Sequence, residues 1–188
     1  MLFRSDLVLL DANDLDGDQQ RQVDLSAWCI HGAVHRLVPR ARCVLHTHSI
    51  HATAFACLQE PRLPPIEQNT MRFFERYAVD AGFDGMGIGA EGARLAGVLG
   101  DKNILVMGNH GVMVCAETVG AAFDDLFYFE RACEIYMTAR ATGLPLKEVS
   151  GEIAEKTARQ WENYDNLRDA HLAELRAILD AEGADYGD

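Results

Sequence analysis

Apolar and polar positions alternate in short runs and recur at helical spacing in longer ones, which divides the chain into strands and helices. Each short run is rich in valine, leucine, isoleucine or methionine, as expected of strands that lie inside a protein. Runs that predict strands span residues 7–10, 43–49, 103–107 and 111–115. The last two flank a tight turn at residues 108–110.

Helices are predicted where apolar residues recur every three or four positions behind a capping residue, which is Asp24 or Ser26 for the first helix and Thr118 for the longest. These predicted helices span residues 24–37, 51–58, 67–79, 91–99 and 118–142, and a polar helical tail follows from about residue 145. Because helices and strands are interleaved, the pattern predicts an α/β protein with helices on both faces of a sheet. The length of 188 residues suits a single domain that includes the tail.

Composition narrows the classes of partner. The chain has 17 basic and 29 acidic residues, for a net charge of −12. This balance argues against a nucleic-acid surface and against binding to an anionic membrane, since both need a basic patch. Apolar windows fall short of the ~18 residues that a membrane span needs.

The five cysteines form no C-x-x-C pair and lie in apolar segments, which is typical of reduced thiols in the cytosol. The N-terminal residues show neither a basic leader nor an apolar run of signal-peptide length. We therefore expect a soluble, cytoplasmic protein.

Histidines provide the candidate chemistry. Side chains two apart on a strand share a face, so the strand at 43–49 places His46 and His48 roughly 6.5–7 Å apart along it. His110 lies in the turn between two strands, flanked by Gly108 and Gly111. A His-x-His pair alone also occurs without a metal, but three imidazoles with an open fourth position would suit a catalytic metal ion.

Three other histidines fit packing or surface roles better. His31 and His35 are four residues apart on a predicted helix, but no further ligand accompanies them. His171 lies in an apolar stripe of the tail, where it could pack against another subunit. The other members of the stripe are Trp161, Tyr164, Leu175 and Ile178.

Two histidine motifs together resemble the class II aldolase/adducin family. They are Val-Leu-His-Thr-His-Ser-Ile-His-Ala at residues 44–52 and Met-Gly-Asn-His-Gly-Val at residues 107–112. The resemblance extends over about residues 7–136. It implies a three-layer α/β/α sandwich with a mixed or mostly antiparallel central sheet. It also implies a homotetramer with active sites between subunits.

The same resemblance implies that His46, His48 and His110 hold a zinc ion. Zinc is preferred for three imidazoles, although manganese, cobalt and iron fit the same ligands. In aldolases of this family the metal acts as a Lewis acid that stabilises the enediolate left by C–C cleavage.

The chain departs from the aldolase pattern at the proton-transferring residues. Where the aldolases have Ser-Glu-Trp, this chain has Ser26-Ala27-Trp28, so the catalytic carboxylate is missing. Gln68 stands near the position of a proton-donating tyrosine, and glutamine cannot act as an acid.

Weaker candidates remain for these roles. Glu67 could supply a carboxylate, although a helix-capping role is the alternative. Ser26 and Gln68 could hydrogen-bond a substrate. Tyr186 could reach a neighbouring subunit's site, as the C-terminal tyrosine does in related aldolases.

The family's Gly-Asn and Thr-Pro-x-Gly phosphate loops precede the strand matched by residues 7–10, where this chain begins. Either the start codon is misassigned, or the protein lacks this anion-binding cradle.

Two functional hypotheses follow. One is a metal-dependent lyase that uses aldol, retro-aldol or related enolate chemistry on a small carbonyl compound. The other is a non-catalytic, adducin-like oligomeric protein that retains the metal site. A different metal-assisted reaction, such as decarboxylation, dehydration or hydrolysis, is a third option.

Overall fold

A computed structural model describes residues 7–13, 23–164 and 167–186. These parts contain four strands and seven helices. In chain order they are α1 Leu25–Leu37, β1 Cys43–Thr47, α2 Ile50–Ala56, α3 Gln68–Arg72, β2 Tyr77–Asp80, α4 Glu91–Leu99, β3 Ile104–Met107, β4 Gly111–Ala116, α5 Val119–Ala141, α6 Gly151–Glu162 and α7 Arg168–Ala181. None of the helices in the described ranges is long and apolar enough to cross a membrane.

The four strands form one mixed sheet in the order β1-β4-β3-β2. β4 pairs antiparallel with both β1 and β3, whereas β2 runs parallel to β3. The antiparallel β3–β4 pair is joined by the tight turn that carries His110. The predicted α/β class and mixed sheet are therefore confirmed.

Alternation along the central strands separates two hydrophobic cores. Ile104 and Val106 face one core, which α2 and α5 cover with residues such as Phe129. Leu105 and Met107 face the other core, which α1 and α4 cover. Helices thus lie on both faces of the sheet, as predicted from the interleaved pattern.

Helix starts follow the predicted caps. The Asp24 carboxylate accepts a hydrogen bond from the Ala27 amide at 3.0 Å and begins α1. The Thr118 hydroxyl accepts one from the Ala121 amide at 3.2 Å and begins α5. These local hydrogen bonds satisfy amides that have no partner within their helix.

The predicted strand at residues 7–10 is wrong, because the structure shows no strand there. Leu7 and Leu9 are 78% and 97% exposed. An apolar run becomes a strand only when a neighbouring strand takes its backbone hydrogen bonds, and residues 7–10 pair with none of the four strands of the sheet.

The predicted helix at 67–79 is wrong in its second half. α3 ends at Arg72, and Glu75 adopts a positive φ of 55° that a helix cannot contain. Tyr77–Asp80 then forms β2 and pairs with β3 from Tyr77↔Ile104 to Asp80↔Met107. Pairing with β3 overrides the helical spacing of the apolar residues.

The helical tail packs on α3 and α5 through a buried ionic network. Arg72 is buried, and one of its nitrogens donates to both Asp124 and Asp125 at 2.6 Å. His171 of α7 hydrogen-bonds Asp124 at 2.8 Å and packs against Phe127. The predicted packing role of His171 is confirmed, and its partners lie within the same chain.

Candidate metal centre

His46, His48 and His110 converge at the end of the sheet. His46 lies in β1, His48 follows the last residue of that strand, and His110 occupies the β3–β4 turn. Their ring centroids are 4.8–4.9 Å apart in every pair. Their potential ligand atoms all lie within 4.8 Å of one another, and Nε2 of His46 is 3.0 Å from Nε2 of His48.

The β3–β4 turn approaches β1 and β2 closely because it contains glycine at both ends. A Cβ atom on Gly111 would lie 2.5 Å from the Thr47 carbonyl oxygen and 2.9 Å from the His48 ring. A Cβ atom on Gly108 would lie 2.7 Å from the Asp80 carbonyl oxygen, to which the Gly108 amide donates at 2.8 Å. The two glycines therefore allow His110 to reach the other histidines.

One hydrogen bond fixes the tautomer and orientation of His46. Its Nδ1 lies 3.0 Å from the Val112 carbonyl oxygen, which can only accept. Nδ1 therefore carries the proton, and Nε2 presents its lone pair toward His48. Anchoring one ring nitrogen in this way is typical of metal-ligating histidines.

The surroundings favour neutral imidazoles. Burial, followed by the neighbouring His110 and His48, lowers the pKa of His46 to about 4, although the hydrogen bond that His46 donates to the Val112 carbonyl opposes this shift. Burial and His48 also lower the pKa of His110, while Glu91 opposes that shift. Neutral imidazole is the form that binds a metal ion.

The donor set fits a borderline transition metal. Three nitrogen ligands on one side leave a fourth position for water or substrate. Across the described parts of the chain, the group of metal-ligating side chains contains these three histidines and no carboxylate. Glu91 is held by Arg94, whose guanidinium donates to both of its oxygens at 2.5 and 2.9 Å.

The other predicted site residues lie outside the three-histidine group. Glu67 caps α3 by accepting from the Asn69 and Thr70 amides at 2.8 and 2.5 Å, which confirms its capping role. Gln68, the first residue of α3, is exposed. Tyr186 donates to Asp180 at 2.5 Å.

Three predicted residues lie near the start of helix α1. Ser26 and Ala27 are neighbours in its first turn, and His31 follows one turn later. The Ser26 hydroxyl donates to the capping carboxylate Asp24, and Ala27 is exposed in the first turn. His31, one turn further, is half-buried, and its pKa is lowered by burial and then by His35. His35 hydrogen-bonds the Ala41 carbonyl at 2.9 Å, so neither histidine belongs to the three-histidine group.

Sequence reasoning missed Glu130 of α5, which contacts the segment directly after His48. Its carboxylate accepts from the Ser49 hydroxyl, from both the amide and ring nitrogen of His51, and from the Ala52 amide. Burial opposes its ionisation, but these hydrogen bonds hold the pKa of Glu130 below its usual value. Its spacing on α5, four residues after Leu126 and three before Cys133, both of which pack in the core, was the available signal.

Residues 2–137 match the family described as the Class II Aldolase and Adducin N-terminal domain. The decarboxylase NovR of Streptomyces niveus is 31% identical over 178 residues, which cover 90% of this chain and 65% of that protein. Human beta-adducin is 34% identical over 119 residues, which cover 62% of this chain and 16% of adducin. The chain thus spans less than two thirds of the length of these relatives.

Solved structures show the same fold. An aldolase II superfamily protein from Pseudomonas syringae superposes with a TM-score of 0.87 at 28% identity, covering all of this chain and 76% of the other. The L-fuculose 1-phosphate aldolase of Glaciozyma antarctica gives 0.72 at 22% identity, covering 88% and 63%. Together with the family match, these likenesses establish that the chain is a member of the class II aldolase/adducin family.

Proposed function

We propose that this protein is a metal-dependent lyase that breaks a C–C bond beside a carbonyl group and leaves an enolate. The observation that carries the proposal is the convergence of His46, His48 and His110 within 4.8 Å. Their three nitrogen ligands would hold a divalent ion, with zinc as the first choice and manganese, cobalt or iron as alternatives. A metal held there supplies Lewis-acid polarisation of the substrate carbonyl.

Ala27 favours decarboxylation over retro-aldol cleavage. Retro-aldol cleavage needs a base that takes the proton of the substrate hydroxyl, and alanine cannot do so. Loss of CO2 from a β-keto acid needs no such base, because the electrons of the broken bond pass directly into the enolate. The name of the decarboxylase NovR, which is 31% identical, agrees with this choice.

The second candidate function is an adducin-like oligomeric protein that retains the metal site. Its support is the 34% identity with human beta-adducin over 119 residues. Retention of the three histidines, with the His46 tautomer fixed by Val112, favours the enzyme.

We also propose that the protein is a homotetramer that takes a small-molecule substrate in the cytoplasm. Members of this family are typically oligomeric and bind small molecules. The five cysteines are unpaired, which agrees with a reducing compartment.

Metal content per chain tests the site, measured after equilibration with Zn²⁺ and removal of excess ion. We expect one zinc per chain in the wild type and in the control His31→Ala, and loss of tight binding in His46→Ala and His110→Ala. Losing a ligand costs more affinity than the ~10–100-fold lost with an outer hydrogen-bond partner. One retained zinc in His110→Ala would contradict the assignment.

Activity of the zinc-loaded wild type and Ala27→Glu distinguishes the reactions. The probes are a panel of β-keto acids, with CO2 release measured, and L-fuculose 1-phosphate. We expect decarboxylation by the wild type and cleavage of the sugar phosphate only by Ala27→Glu. Cleavage by the wild type would show that another residue supplies the base, whereas inactivity of both proteins on every probe would favour the adducin-like function.

A further inference from the structure

We propose that Glu130 is a positioning residue that sets the affinity of the metal centre by fixing the backbone beside His48. The inference rests on the proposed metal site and assigns a role in it to a residue of α5 that contacts the segment after His48.

The backbone must hold His48 in place, because few contacts fix its side chain. The ring of His46 is fixed by the Val112 carbonyl, and the side chain of His46 is half-buried. The His48 side chain is exposed, and its ring packs edge-on against the rings of His46 and His110. The position of its ring therefore depends on the backbone of residues 47–49.

Glu130 holds the residues that follow His48. Ser49, the N-cap of α2, makes no capping hydrogen bond with its own side chain. Its hydroxyl donates instead to Glu130 at 2.7 Å, and the same carboxylate accepts from the His51 and Ala52 amides at 2.9 and 2.8 Å. Glu130 thus replaces the missing local cap with one from another helix.

A fourth hydrogen bond completes the set. The ring Nδ1 of His51 lies 2.9 Å from the Glu130 carboxylate, whose side chain is 23% exposed. Four donors match the four lone-pair sites of an ionised carboxylate, and each of its oxygens receives two of them. A glutamine side chain at this position cannot accept from all four donors, because its amide nitrogen, itself a donor, would replace one of the two accepting oxygens.

The test compares zinc affinity in wild type, Glu130→Gln and the matched control Glu134→Gln, with competition against a chromophoric chelator. Glu134 lies one turn along α5 and pairs with Arg131. We expect Glu130→Gln to bind zinc ~10–100-fold more weakly, in the range typical of residues that orient metal ligands. Glu134→Gln should match the wild type.

A spectroscopic measurement separates positioning from a general loss of stability. With Co²⁺ in place of zinc, the visible d–d bands report coordination geometry, and we expect them to shift in Glu130→Gln but not in Glu134→Gln. Should Glu130→Gln fail to fold, Ser49→Ala removes a single donor and should give a smaller loss of affinity in the same direction.

The outcomes are distinguishable. Wild-type affinity and an unchanged Co²⁺ spectrum in Glu130→Gln, with only a lower melting temperature, would overturn the positioning role and leave the metal site standing. Failure of the wild type to bind either ion would overturn the proposed site itself, and the role of Glu130 with it.

Discussion

The hydroxyl of the half-buried Tyr77 has two hydrogen-bond partners in the connection after α2. Its oxygen accepts from the Leu63 amide at 2.8 Å and donates to the Pro61 carbonyl at 3.2 Å. The ring packs edge-on against Phe129, with centroids 5.5 Å apart. Tyr77 therefore holds the proline-rich connection after α2 against the core.

Burial, as the largest effect, raises the pKa of Tyr77 to about 12, which predicts a loss of stability at alkaline pH. The unfolded chain releases this proton near pH 10, so between pH 10 and 12 the folded state binds more protons. The free energy of unfolding therefore falls as pH rises through this range, by about 2–3 kcal/mol at most. Urea unfolding at pH 8, 10 and 11 measures the slope.

Tyr77→Phe is the control for this prediction. It should cost about 1 kcal/mol at neutral pH, because the Leu63 amide loses its partner. It should also make the alkaline slope shallower than in the wild type. Equal slopes in the two proteins would contradict the assignment of this titration to Tyr77.

At the scale of elements, α1 and α4 approach each other through a glycine. A Cβ atom on Gly92 would lie 2.1 Å from the Cys29 carbonyl oxygen and 2.8 Å from the Ala33 Cβ. The two helices together cover the core that contains Met107 and Met113. Their close contact thus places Cys29 and Ala33 of α1 against the start of α4.

Two alanine substitutions in α4 test this contact. Gly92→Ala should lower the free energy of unfolding by about 1–3 kcal/mol, because backbone must move to admit the methyl group. Gly97→Ala is the matched control, since a Cβ there meets nothing within 4 Å. It should raise stability by about 0.5–1 kcal/mol through helix propensity.

Chemical denaturation of both variants measures the difference. Destabilisation of the same size in both would show that helix α4, rather than its contact with α1, is sensitive to substitution.

A helix or strand could be predicted from the sequence when the residues that fix it lie close together along the chain. Helix α5 was predicted correctly from Thr118 and the helical spacing of the apolar residues after it. Its cap is local, because the Thr118 hydroxyl accepts from the amide of Ala121, three residues along the chain. β2 was missed because Tyr77–Asp80 has no alternation of its own that excludes a helix. It is a strand because β3 pairs with it.

For the whole molecule, the proposed homotetramer predicts a mass in solution of four times the 20.8 kDa chain. Phe83, Met86 and Ile88 are 51–75% exposed in the loop between β2 and α4, and burial against another subunit would remove this apolar surface from water. Size-exclusion chromatography with light scattering at several concentrations measures the mass. A concentration-independent monomer would contradict the proposal.

The sequence alone determined the local features of the candidate site. Two histidines at strand spacing, a third in a glycine-flanked turn, and the family resemblance of these motifs were all readable from the residues. So was the absence of a carboxylate at Ala27. These features depend on side-chain periodicity and turn chemistry, which act over a few residues.

Only the tertiary structure decided which parts of the chain meet. Pairing of β1 with β4 brings His110 beside His46, and packing of α5 brings Glu130 to the backbone after His48. The same long-range pairing made Tyr77–Asp80 a strand and left residues 7–10 without one. Backbone hydrogen bonds between distant segments fix these outcomes, and no spacing within a single segment encodes them.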